Sequence, residues 1–176
     1  MATRAPARVE TFAFFCGLAY FAIGLLGLMP QALIQPPAGA PAMHVTMLHG
    51  ELLGLFPVNV AHSAAHIAIG AWGIAAGRSL ANPTIYARVL AVFFAALALM
   101  GLAPDLDTVF GVLPLHGPDV WLHGATAAVA AYFGWHPSAS LERRSAKEAD
   151  RRQKNEPVGR ERRTHHGDRR LPGSEV

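Results

Sequence analysis

Two short frames hold the residues that can do chemistry: Asn59, His62 and His66 in "GLFPVNVAHSAAH" (54–66), and His116, Asp119 and His123 in "GVLPLHGPDVWLH" (111–123). Imidazole nitrogens and a carboxylate are the donor set of borderline divalent metals. His62, His66, Asp119 and His123 together can complete a tetrahedral site with nitrogen and oxygen ligands. The same side chains can also serve as links between helices, each imidazole donating to one neighbour and accepting from another, at about 0.6–2 kcal/mol per bond in a membrane. A haem held noncovalently between His66 and His123, or a proton or ion relay through Asp119 and the histidines, would use the same groups.

Several enzymatic chemistries are excluded by type and spacing. "HSAAH" lacks the Glu that follows the first His in zinc hydrolases of the His-Glu-x-x-His kind. Cys16 is the single cysteine, so neither a disulfide nor a Cys-x-x-Cys-His haem attachment can form within the chain. No phosphate-cradling Gly-rich loop and no Gly-x-Ser-x-Gly elbow is present. The sequence therefore favours a non-enzymatic, structural or partner-binding role and demands no cofactor; a metal- or haem-binding redox component is the alternative reading of the His/Asp cluster.

The elements that would position these residues are membrane spans. Hydrophobic residues make up 52% of the 176-residue chain and crowd into its first three quarters. Residues 11–29 form a charge-free run of spanning length, and 58–77, 85–103 and 118–135 follow as further spans, the third with Arg88 snorkelling to the interface. The first run exceeds the apolar core of a secretory signal, which favours a retained helix. Asn59 suits an N-cap, while Gly117 and Pro118 make a cap and first-turn pair.

All 15 Lys and Arg avoid the loops 30–57 and 104–117. They sit before the first span, between the second and third, or after the fourth, which predicts both termini in the cytoplasm. Phe56, Phe110 and Trp121 would mark the outer interface, with Tyr86, Tyr132 and Trp135 at the inner one. Residues 136–176 are charged and nearly free of apolar side chains, the composition of a disordered tail. With the basic residues thus fixing topology, the net charge of +3 points to no nucleic-acid partner. The partners expected are the lipid bilayer and a second copy or another membrane protein.

The frames align at a spacing of 57 residues: Gly54 with Gly111, Pro57 with Pro114, Asn59 with His116, His62 with Asp119 and His66 with His123. This predicts a duplicated two-helix hairpin, the copies related by an axis along the membrane normal. The fold class expected is thus an all-α membrane protein of four spans as two parallel-repeat hairpins: residues 1–8 cytoplasmic, 9–135 transmembrane, 136–176 a disordered cytoplasmic tail. Each second helix carries a stripe, polar at one end and small at the other: Asn59, His62, His66, Gly70, Gly73 and Gly77; then Asp119, His123, Ala127, Ala130 and Gly134. The stripes are expected to face one another.

"FPVNVAHSAAHIAIG" and its "LPLHGPDVWLH" echo resemble the bacterial membrane family catalogued as domain of unknown function 4383, over about residues 9–135. Pro57, Asn59, His62, His66, Asp119, Trp121, Leu122 and His123 match its pattern, whereas Ser63 and His116 stand where that family usually has Asn. The resemblance implies a four-span protein of the bacterial inner membrane and no particular chemistry.

Overall fold

The computed structural model describes residues 8–136, Ser145, 147–152 and Lys154. Four helices dominate: α1 (Arg8–Gly27), α2 (Val60–Gly77), α3 (Pro83–Gly101) and α4 (Pro118–Trp135). Of these, α1 and α3 are long and apolar enough to cross a membrane. Their starts follow local chemistry. Asn59 caps α2, its side-chain oxygen accepting from the His62 N–H at 2.9 Å. Asn82 does the same for α3, accepting from Thr84 and Ile85, with Pro83 at the first helical position. Gly117, at φ 68°, turns the chain into α4 ahead of Pro118.

One expectation is corrected between α1 and α2, for the chain is not all-α. Strands β1 (Leu33–Ile34), β2 (Gly50–Leu52) and β3 (Phe56–Val58) form an antiparallel sheet in the order β1-β2-β3, pairing Leu33 with Leu52 and Gly50 with Val58. A segment packed over a helix end must satisfy its backbone groups, and a small sheet does so. Pro57 consequently sits in a strand, opposite Glu51.

α1 packs most extensively on α2, and α3 on α4. The first pair approaches through glycines: a methyl added at Gly17 would strike the backbone of Gly73 and Ile74, and one at Gly70 the backbone of Phe21. The small half of the α2 stripe therefore faces α1, and Gly134 of α4 lies against Arg88 of α3. This corrects the expected stripe-to-stripe contact. The glycines of α1 complement those of α2, so close helix approach is satisfied within each pair, and α2 meets α4 through the rings of His62 and His123.

The apolar core includes Tyr20, Tyr86, Leu90, Phe94, Leu115 and Ala130. Tyr86 is thus not an interfacial ring: fully buried, it packs edge-on to Trp72 and donates to the Cys16 sulfur at 3.7 Å. Trp121, Phe110, Tyr132 and Trp135 are exposed, and Phe56 is half-buried. Arg88 does reach a helix end, donating to the Gly134 carbonyl at 2.9 Å and stacking over Trp135.

Most of the segment expected to be a disordered tail lies outside the described residues. The described positions within 145–154 are helical and exposed, with Glu148 paired to Arg152 and Asp150 to Lys154 one turn apart. Such acid-to-base spacing supports a helix locally without any apolar face, which a reading of composition alone overlooks.

Candidate functional site

The cap at Asn59 sets the phase of α2, and His62 and His66 then project from one face a turn apart, 3% and 5% exposed, with ring centroids 4.5 Å apart. α4 brings Asp119 and His123, 2% and 1% exposed, and the His123 ring stands 6.0 Å from that of His62. One ligand nitrogen from each of His62, His66 and His123 lies within 4.8 Å of the other two. Asp119 is not in this set of three; its Oδ2 lies beside His123, 3.6 Å from Nδ1.

The polar atoms here are buried and unsatisfied. His62 Nδ1, His66 Nδ1, both ring nitrogens of His123 and Asp119 Oδ2 have no hydrogen-bond partner among the described residues. The His62 ring hydrogen-bonds the backbone of Pro57, which holds it in place. Buried polar atoms are nearly always paired, so a cluster of five that are not is an exception requiring a reason.

Aromatic rings close the site. Tyr20 of α1 lies 5.1 Å from His66, and Phe94 of α3 lies 4.9 Å from His123. The Tyr20 hydroxyl and Thr126 Oγ1 of α4 share a hydrogen bond of 2.8 Å, so all four helices contribute to the enclosure. Neither Tyr20 nor Phe94 stood out in the sequence. The available signal was the face Gly17, Tyr20, Gly24 and Gly27, on which one phenol interrupts a run of glycines at helical spacing.

The remaining candidates lie nearer the loops. Asn59 belongs to a clasp: its Nδ2 donates to the carbonyls of Val45 (3.0 Å) and Val112 (2.8 Å) while its oxygen caps α2. His44 and Val45 donate through their backbone N–H groups to Gly111, and Val60 to Met47, so the two loops are tied to each other and to the α2 end. His116 is outside the three-histidine set, with its Nε2 buried and unpartnered among the described residues.

The family described as domain of unknown function (DUF4383) matches residues 10–136. The chain belongs to that family. The matched stretch contains every residue of the DUF4383 chain's cluster, from Tyr20 to Thr126, and both loops of the clasp. No curated protein and no solved structure matches the DUF4383 chain.

Proposed function

We propose that this protein is a four-span protein of the bacterial inner membrane that binds one divalent transition-metal ion at His62, His66 and His123, with Asp119 orienting His123. The observation that carries this reading is the set of buried, unpartnered nitrogens converging from α2 and α4. Interhelical links would instead require imidazole hydrogen bonds to neighbouring helices, and the described residues supply none to these atoms. Nitrogen ligands of a tetrahedral ion at about 2.0 Å stand about 3.3 Å apart, so modest side-chain rotation from the present spacing suffices. Asp119 then occupies the place of the outer carboxylate that commonly fixes a ligating histidine's tautomer.

A single ion fits better than haem. The ring faces are taken up by His62, Tyr20 and Phe94, which leaves no slot for a porphyrin plane.

The four-span topology is supported by the length of α2 and α4, 18 residues each and thus about 27 Å, which approaches the thickness of a bilayer core. Their polar side chains are buried, as lipid requires. With the 15 basic residues outside 30–57 and 104–117, both termini are cytoplasmic, the clasped loops face outward, and the hairpins are copies of one duplicated unit.

The test is a Co2+ titration of protein in mild detergent. A tetrahedral cobalt absorption that saturates at one ion and vanishes in His66→Asn is expected; silence in well-folded wild-type protein would overturn the metal reading and return the cluster to a structural role.

A further inference from the structure

The two hairpins are tightly packed within themselves, but α1 meets α4 far more sparingly than it meets α2. Between α1 and α4 lies a cleft of about 480 Å3, lined by Arg8, Thr11, Phe12, Phe15 and Cys16 of α1 and by Phe133 of α4. That volume is within the range of about 300–1,000 Å3 usual for small-molecule sites. The five α1 positions follow one another at steps of three and four, so they form one stripe of the helix. Gly17 and Gly24, on another face, press against α2, which leaves the Arg8 to Cys16 stripe without a closely fitted helix. Phe12 and Phe133 stack with centroids 4.7 Å apart and planes 12° from parallel, joining the hairpins through rings rather than glycines.

The lining changes character along its length. Arg8, the first residue of α1, is exposed and supplies the one charge among the six lining residues. Glu10 does not line the cleft, as a residue two positions on faces elsewhere. Below Arg8 and Thr11 come Phe12, Phe15, Phe133 and the Cys16 thiol. Cys16 lies eight residues from Arg8, about 12 Å of helix rise, which is most of the depth of one leaflet of about 15 Å. On the proposed topology Arg8 stands at the cytoplasmic interface, where headgroups lie, and Cys16 near the level at which acyl chains end.

A guanidinium above an apolar channel of leaflet depth is complementary to a lipid with an anionic head, because the planar fork of Arg matches phosphate oxygens. An acyl chain gains little by exchanging other lipid tails for phenylalanine rings. The cleft therefore places the chain, and Arg8 selects the head. We propose that the cleft between α1 and α4 binds one anionic phospholipid of the cytoplasmic leaflet, its phosphate paired with Arg8 and one acyl chain lying along Phe12, Phe15 and Phe133 toward Cys16. This rests on the membrane reading and its orientation, and it is independent of the metal site.

The test uses the full chain in mild detergent, with phosphatidylglycerol and phosphatidylcholine as probes and native mass spectrometry to count the lipid retained. Wild type is compared with Arg8→Gln, Arg8→Lys and the control Arg78→Gln. Arg78 stacks over the Phe14 ring and is no part of the cleft. Wild type, Arg8→Lys and Arg78→Gln should each retain one phosphatidylglycerol in preference to phosphatidylcholine. Arg8→Gln should bind phosphatidylglycerol about fivefold more weakly, the effect of one basic residue at an anionic surface, with phosphatidylcholine unchanged. Because Arg8 is exposed at the start of α1, its replacement leaves helix packing intact. Phosphatidylglycerol carrying a photoreactive group at a chain end should mark the peptides that hold Phe15, Cys16 and Phe133. Equal retention of the two lipids by wild type, an equal loss in Arg78→Gln, or marks spread over all four helices would overturn the proposal. Displacement of the lipid by inorganic phosphate at like concentration would also overturn it, since the acyl chain would then contribute nothing. A protein that stays dispersed without detergent would instead overturn the membrane reading on which the proposal stands.

Discussion

Asp119 Oδ2 stands 3.6 Å from His123 Nδ1, one turn apart on α4, and both side chains are almost completely buried. That separation is slightly too long for a hydrogen bond. It is short enough that a small rotation makes one, presenting His123 Nε2 to His62 and His66. An isolated buried carboxylate is costly to a fold, and a cation bound at the proposed site would offset that cost.

Replacing Asp119 by Asn should weaken metal binding by about 10–100-fold, the usual effect of losing an outer carboxylate on a ligating histidine. The metal-free protein should be no less stable than wild type, because the change removes an uncompensated buried acid. Competition with a chromophoric chelator measures the first effect and thermal unfolding in detergent with chelator present measures the second. A destabilised apo protein with unchanged metal affinity would make Asp119 structural.

The two glycines Gly70 and Gly124 should respond in opposite directions to Ala. A Cβ at Gly70 would collide with the backbone of Phe21 and Gly17, forcing α1 and α2 apart at about 1–3 kcal/mol. At Gly124 the nearest atom is the Ala98 Cβ at 3.9 Å, an ordinary contact, so Ala gains about 0.5–1 kcal/mol from reduced chain entropy. Unfolding midpoints of the two variants decide it.

Asn59→Ala should cost about 2 kcal/mol or more, since it removes the α2 cap and strips partners from the Val45 and Val112 carbonyls. Asn59→Asp can still cap but cannot donate, so it should recover little. The clasp should open in both variants, seen as faster proteolysis within 44–47, while Ser63→Ala, whose side chain lies against Gly27 of α1 and not in the clasp, leaves that cleavage slow.

Topology is checked with single cysteines in a Cys16→Ser background. A cysteine at Ala42 should react with a membrane-impermeant maleimide added outside intact spheroplasts, and one at Ser174 only after lysis. Reversal would contradict the orientation drawn from the basic residues.

Helix starts at Asn59 and at Gly117–Pro118 were legible in the sequence because capping is local chemistry, settled within three residues. The start of α3 was placed at Ile85 rather than Pro83, since the first apolar residue outweighed the Asn82–Pro83 cap that in fact begins it. The sheet left no trace because strands of two or three residues are too short to alternate. His62, His66 and His123 were found as a cluster because helical spacing puts them on faces that a membrane would bury. Tyr20 and Phe94 were missed, since which apolar face meets them depends on glycine packing between α1 and α2, a tertiary relation invisible in any one helix. Tyr86 was misplaced for the same reason: a tyrosine near a helix end reads as interfacial unless its neighbours are known.

The most direct measurement is the metal content of the protein purified in mild detergent from cells grown with a full complement of trace metals, by elemental analysis against protein concentration. Wild type dialysed free of loosely held ions should retain one zinc, copper, nickel, cobalt or iron atom per chain, and His66→Asn and His123→Asn, equally folded, should retain less than one tenth of that. Metal-free wild type that also fails to take up an ion on titration, or full retention in both variants, would contradict the account.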